Sequence, residues 1–338
     1  MKKLISLICV LAMVLALAAC GSSAPAAATE APAASTEAPS ADVSADKTFV
    51  VGICQLVQHP ALDAATQGFK DALTEALGDK VTFQEQNASG DSATCSLICN
   101  QFVSDEVDLI MANATASIQA AASATNTIPI LGTSITDYGV ALGVDNWTGV
   151  SGTNISGTSD LAPLDGQAAM VQELFPDAKT IGLLYCSGEP NSIFQADSME
   201  ALLTDMGYSV ERYTFADSND VSSVTANACS NSDVLYIPTD NTAASCTEAI
   251  NNVALSAGIP IVAGEEGLAS GCGVATLSIS YYDLGRATGE MAAEILTEGA
   301  DVSTMEVRFA PAFTKEYNAD ICEALNITVP EDYVAIAK

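Results

Sequence analysis

The sequence predicts an α/β protein made of two doubly wound parallel-sheet lobes joined by hinge strands. From residue 48 onward, short β-branched or apolar runs alternate with helical patterns, the signature of βαβ units and a parallel sheet. A stretch rich in Gly, Ser, Thr and Asn at 150–157 breaks that alternation, which then resumes in a similar second half. A near-break at 274–280 suggests that the chain crosses between the halves more than once, making both stretches candidate hinge strands.

The chain opens with Lys2 and Lys3, an apolar run at 4–18 and then Cys20. A run this short, followed at once by polar sequence, reads as a signal peptide rather than a membrane span. Its end, Leu17-Ala18-Ala19-Cys20-Gly21, resembles the bacterial lipobox. That resemblance implies cleavage after residue 19 and lipid on the Cys20 sulfur, which anchors a protein to a bilayer without crossing it. Residues 20–47 are nearly all Ala, Pro, Ser, Thr and Glu, too poor in large apolar groups to offset the entropy of ordering. We read them as a disordered tether. The remaining length, about 290 residues, suits two lobes.

Residues 49–54 read as the first strand. Pro60 then suits a first helical turn, and Leu62, Ala65, Phe69, Leu73 and Leu77 recur at spacings of three and four, an amphipathic helix. Strands follow at 81–84, 107–111 and 128–131, with helices at about 92–104 and 115–126. After the break come strands at 180–185, 209–213, 234–237 and 259–262, then a helix at 281–297 and a strand near 307–310. We assign 48–157 plus 281–304 to an N-terminal lobe and 158–280 plus 305–338 to a C-terminal lobe.

The net charge is −31, from 42 acidic against 11 basic side chains. Losing the two leader lysines leaves 9 basic side chains and a net −33. Nucleic acid is thereby disfavoured as a partner, because phosphate neutralisation needs a basic surface. Acidity of this kind also serves solubility alone. Of ten cysteines, one lies in the leader and one is the expected lipid site; the other eight show no paired short spacing. A zinc or redox site would call for a C-x-x-C pair or histidines, and His59 is the single histidine. Buried thiols packing as small hydrophobes are expected, with no metal and no cofactor, while a disulfide stays open outside the cell, its connectivity not readable from sequence.

Parallel sheets bind ligands outside the carboxyl ends of their strands, so the loops just past each strand are the candidate site. They offer Gln58 and His59, Ser89, Thr115, Thr133 and Asp137, Asp160, Glu189 with Asn191 and Ser192, Asp240 with Asn241, and Glu265. No Lys or Arg stands among them. A polyanion would normally be met by basic side chains, whereas one carboxylate can be held by hydroxyls and helix-start N–H groups. A zwitterion fits this set, its ammonium facing Asp160, Asp240 and Glu189, its carboxylate facing Thr133, Asn191 and Ser192.

The segments 51–64, 87–91, 152–160, 188–192 and 236–241, with Gln58-His59-Pro60, Gly188-Glu189-Pro190-Asn191-Ser192 and Pro238-Thr239-Asp240-Asn241 at their centres, resemble the ABC transporter substrate-binding proteins of the tryptophan-importer type. The resemblance covers about residues 49–329 and implies the type I periplasmic-binding-protein fold. It further implies an aromatic amino acid as ligand, tryptophan or phenylalanine favoured, with an ABC permease and its ATPase as partners. The chain would then be extracytoplasmic, touching the membrane through its lipid anchor only. It departs from the usual family pattern at Gln58, commonly Glu, and at Tyr138, commonly Pro.

Plainer roles compete at several positions. Asp63 lies in a first helical turn, where capping is favoured over ligand contact. His59 beside Pro60 could order a turn, and at Asn191, Ser192, Asp240 and Asn241 capping and ligand contact can coexist. Tyr138, Tyr185, Phe194 and Trp147 could face an aromatic ligand or pack, and packing is expected for Trp147. A hydrolase would need a base for its nucleophile. His59 alone could supply one, but G-x-S-x-G and H-E-x-x-H motifs are absent, so no enzyme is expected. A ligand sensor signalling to a membrane kinase needs only the same ligand-driven closure, and the sequence does not separate it from an importer component.

Overall fold

The computed structural model describes residues 47–310 and 312–337. The leader at 1–19, Cys20 and all but the last residue of the expected tether lie outside these described residues. In the first lobe the chain runs β1 (Phe49–Gln55), α1 (Pro60–Leu77), β2 (Val81–Asn87), α2 (Ser92–Ser104), β3 (Leu109–Asn113), α3 (Thr115–Ala124), β4 (Ile130–Ile135), α4 (Tyr138–Leu142) and β5 (Ile155–Ser159). The second lobe follows with α5 (Leu164–Leu174), β6 (Thr180–Cys186), α6 (Pro190–Asp205), β7 (Ser209–Phe215), α7 (Val221–Asn231), β8 (Val234–Ile237), α8 (Asn241–Ala244), α9 (Thr247–Ala257), β9 (Ile261–Ala263), α10 (Glu266–Gly271) and β10 (Ala275–Ser278). The remainder is α11 (Tyr281–Glu298), β11 (Arg308–Phe309), β12 (Thr314–Tyr317), α12 (Ala319–Ala324) and β13 (Val334–Ala335).

These strands form two sheets, ordered β11-β5-β4-β3-β1-β2 and β13-β12-β10-β9-β8-β6-β7. All pairs are parallel except β10 with β12. Helices cover both faces, so the central strands are continuous apolar runs, as in β3 and β8, rather than alternating ones. Each lobe has its own core on either side of its sheet. Among the described residues no helix is long and apolar enough to cross a membrane.

The lobe boundaries differ from those expected. Residues 155–159 are not a hinge but a full strand of the first sheet, and 275–278 form an interior strand of the second. β11 pairs with β5, which puts 308–309 with the first lobe rather than the second. The chain therefore passes between the sheets at 160–163, at 279–280 and between the end of β11 and the start of β12.

The composition of β5 has a local cause. Gly132 and Gly157 are register partners, and a Cβ on Gly157 would meet Gly132 O at 2.0 Å and the Tyr138 hydroxyl at 2.4 Å. The two glycines leave a slot in which that hydroxyl donates to Gly132 O (3.1 Å) and Thr158 O (3.2 Å). Close approach also fixes α11 on α1, where a Cβ on Gly68 would lie 2.0 Å from Tyr282 O. This contact returns the chain to the first lobe and sets Tyr281 at the second crossing.

Candidate functional site

The carboxyl ends of the two sheets meet across a cleft. Loops after β1 and β2 (Leu56, Ser89, Asp91) and loops after β6 and β8 (Cys186, Glu189, Asn241) line one cavity of about 350 Å³. Across it the His59 ring reaches lobe to lobe, its Nε2 lying 3.3 Å from Asn241 Oδ1. On the other side of that contact Pro60 and Ala61 face Glu265 and Tyr281 around a second interlobe space of about 310 Å³.

Most of the strand-end carboxylates are occupied by backbone. Asp240 caps α8 through Ala243 N (2.7 Å), and its second oxygen takes Cys186 N (2.7 Å), so one buried side chain ties the ends of β6 and β8. Glu189 begins α6 but serves α8: its oxygens accept from Asn241 N (3.0 Å), Asn241 Nδ2 (2.7 Å), Thr242 N (2.8 Å) and Thr242 Oγ1 (2.8 Å). Glu265 caps α10 through Gly267 N and Leu268 N at 2.5 Å each. Asp137 caps α4 through Val140 N and opens onto an outer depression with Trp147, away from the cleft. Burial, then the Glu189 charge, pushes the Asp240 carboxyl up to about 8; burial pushes Glu265 up to about 7 against the pull of its two backbone donors.

Asp160 differs from all of these. It follows β5 directly, but the next helix starts only at Leu164, so it caps nothing. One oxygen accepts from the Tyr281 hydroxyl at 2.8 Å, joining the first and second crossings. The other, Oδ1, is buried without a partner, and the residue is 4% exposed. Burial raises its affinity for a proton, against the Tyr281 hydrogen bond and the nearby Thr136 hydroxyl. Asp160 thus sits at the first crossing, beneath the second interlobe space that its partner Tyr281 lines, and a buried, half-satisfied carboxylate invites a cationic donor.

Three helices that begin at strand ends, α1, α3 and α6, carry no side-chain cap on His59, Ala114 or Glu189. Pro60 and Pro190 open α1 and α6 without an N–H, and Asp63 N, Ser117 N and Ser192 N donate to His59 O, Ala114 O and Glu189 O, so the N–H groups left to present partial positive charge are those of Ala61, Leu62, Thr115, Ala116 and Asn191. Non-glycine residues in the left-handed region stand at Ser89 (φ 54°), Ala114 (φ 85°) and Ser134 (φ 56°), at the ends of β2, β3 and β4. Such strain collects where a backbone is held for a ligand. Ser134 Oγ and His59 Nδ1 are also buried without partners, and burial holds the His59 pKa below its ordinary value.

The structure brings together His59, Ser89, Asp160, Glu189, Asn191, Ser192, Asp240, Asn241 and Glu265 at or beneath the interlobe surfaces. Gln58 is set apart, exposed over a first-lobe depression with Asp63, Lys70 and Glu85. Thr115 is buried at the start of α3, and Thr133 takes a hydroxyl bond from Thr158 (3.3 Å), itself 2.8 Å from Thr288 of α11. Thr133 thus faces α11, and its neighbour Ser134 holds the free hydroxyl. Asp63 accepts from Gln55 Nε2 (2.6 Å) rather than from a helix start. Tyr138 stacks on Trp147 at 5.8 Å inside the first lobe, and Tyr185 meets Arg212, so both pack. Tyr281 and Ser134 were not singled out from sequence; the one signal for Tyr281 was its place at the head of a helix after a near-break.

All eight described cysteines are free thiols, seven of them buried. Among the described residues no group of three or more His, Cys, Asp or Glu side chains could hold a metal ion.

A family model described as ABC transporter substrate binding protein matches residues 50–338. The chain is 39% identical over 280 residues to a "Tyrosine-binding protein" of Clostridioides difficile, covering 82% of this chain and 81% of that one. A Streptococcus pneumonia ABC domain solved in complex with L-Trp superposes with a TM-score of 0.80 at 31% identity, covering 84% of this chain and 97% of that one. The ligand-free, open structure of a Clostridium difficile substrate-binding protein with adhesive properties superposes at 0.65 and 38% identity, covering 86% and 99%.

Proposed function

The chain belongs to the ABC transporter substrate-binding proteins, and on that footing we propose that it captures an aromatic amino acid as its zwitterion between the two lobes and delivers it to a permease and its ATPase. Such proteins work outside the cytoplasm and bind rather than transform their solutes. The observation that carries the ligand class is Asp160 Oδ1, a buried acceptor without a partner directly behind Tyr281, beneath interlobe spaces that are lined by no Lys or Arg. An α-ammonium would complete it. The carboxylate of the same ligand would lie against the N–H groups of Thr115 and Ala116 opening α3 and of Asn191 opening α6, with the Asn191 and Ser192 side chains beside them. The aromatic side chain is proposed from the relatives named as binding tyrosine and holding L-Trp.

Closure by rotation about 160–163, 279–280 and the connection from β11 to β12 is part of the same proposal. Support comes from the two superpositions: the L-Trp complex fits better than the ligand-free open structure, although its sequence is less similar. The His59 to Asn241 contact is the kind of bond that forms only when lobes approach. The lipid anchor at Cys20 is likewise proposed, and an acyl mass on the N-terminal peptide of the membrane fraction tests it. The ligand class is tested by a thermal-shift screen against amino acids, sugars and nucleosides, because a ligand bound only by the native state raises the midpoint. L-tyrosine and L-tryptophan should raise it; a shift with a sugar or nucleoside and none with any amino acid overturns the proposal.

A further inference from the structure

Away from the cleft, the first lobe holds a group of thiols that ligand capture leaves unused. Cys54 stands near the end of β1, and Cys95 and Cys99 lie one turn apart on α2, the helix packed against that strand. All three are fully buried. The Cys54 and Cys95 sulfurs each lie 3.6 Å from one atom, Ser117 Oγ of α3, which holds the pair in a common pocket.

We propose that Cys54 and Cys95 are joined by a disulfide in the mature protein, stapling β1 to α2. The extracytoplasmic setting that comes with the family is one in which such bonds persist. Ser117 touches these two sulfurs and gathers them in one pocket, while Cys99 also lies beside Cys54 and is the competing partner. Cys95 and Cys99 share a helix, where the next turn does not bring two sulfurs into bonding geometry. The bond would close a loop of about 40 residues, long enough to restrict the unfolded chain substantially. It would also bear on the cleft: β1 runs straight into 55–59, and α2 starts just after 88–91, so one covalent link would fix two of the cleft's loops against each other.

The reaction is thiol–disulfide exchange with a small-molecule or protein disulfide. The Cys54 thiolate attacks one donor sulfur, forming a mixed disulfide and releasing one donor thiolate; the Cys95 thiolate then attacks the Cys54 sulfur and releases the second. Two cysteine thiols are oxidised, one donor disulfide is reduced to two thiols, and the two cysteine protons pass to the released thiolates. In the folded lobe this step is closed. Bonding with Cys95 favours the Cys54 thiolate, but Cys99 and burial outweigh it and push Cys54 up to about 12, while bonding to Cys54 and burial raise Cys95. Only the thiolate reacts, so the bond forms while the lobe is open during folding.

The full chain is unfolded, reduced and refolded in a glutathione buffer with excess oxidised form, and its remaining thiols are alkylated under denaturing conditions and counted by mass. Two fewer free thiols than in the reduced chain are expected, with fragmentation linking Cys54 to Cys95 and a thermal midpoint about 5–10 °C above that of the reduced protein. Cys99→Ala should keep the cross-link and Cys95→Ala should lose it. A sample reduced but never unfolded should stay reduced in the same buffer. A full count of free thiols after refolding, or Cys54 linked to Cys99 or to any other cysteine, overturns the proposal; the mapping on the unmutated chain decides it even if Cys95→Ala does not fold.

Discussion

Asp160→Asn removes one charge and almost no volume. In the native chain Oδ2 takes the Tyr281 hydroxyl at 2.8 Å and Oδ1 has no partner, so the variant can still accept from Tyr281 while presenting a neutral amide to the ligand. Losing one member of a desolvated, hydrogen-bonded charge pair costs ~2–5 kcal/mol of binding. At ~1.4 kcal/mol per decade, this amounts to a loss of roughly 30- to 3,000-fold in affinity. The fold should hold, because burial penalises the ionised carboxylate and the amide relieves that penalty. Isothermal calorimetry with L-tyrosine on native and variant chains reads the effect, and denaturation midpoints of the two report stability. An unchanged Kd in a folded variant refutes the assignment of the ammonium to Asp160.

Asp240→Ala should act on stability before affinity: it strands Cys186 N and Ala243 N, a cap plus a buried unpaired donor, for about 2–4 kcal/mol in a urea titration. Glu265 and Glu316 are each raised from the ordinary 4.5 to about 7, chiefly by burial, with the Glu266 charge raising both. The folded state therefore holds more protons than the unfolded one between those values. Their stabilisation is complete below about 4.5 and lost as pH rises past 7, so the ligand-free midpoint should fall from pH 5 to pH 8, less steeply in Glu316→Gln. Small-angle scattering should show compaction when L-tyrosine or L-tryptophan saturates the protein, and an unchanged profile from an open ligand-free state counts against rotation about the three crossings.

The two sheets were legible because buried parallel strands are apolar runs, and Phe49–Gln55, Thr180–Cys186 and Val234–Ile237 read as such. Ile155–Ser159 was not, because its small residues answer to the hydroxyl of Tyr138 at the head of α4, a contact with no signature in the strand itself. The strand-end loops do line the interlobe spaces, yet the roles within them were harder to assign. Asp240 and Asp160 look alike in composition. A helix follows Asp240 at once, making it a cap, whereas Leu161, Ala162 and Pro163 separate Asp160 from the next helix and leave it free. That difference was readable from Pro163. The capping of α8 by Glu189, some fifty residues away, and the Tyr281 bond to Asp160 across 121 residues depend on tertiary placement and were not.

A cleft built for an amino acid must hold both of its charged ends. Competitive calorimetry on the native chain, with L-tyrosine set against tyramine and 3-(4-hydroxyphenyl)propionate, separates those ends while keeping the ring. The account predicts saturable one-to-one binding of L-tyrosine, and binding at least two decades weaker for the amine without a carboxylate and for the acid without an amine, since each leaves one buried partner unsatisfied. Tyramine or the propionate binding as tightly as L-tyrosine would contradict it.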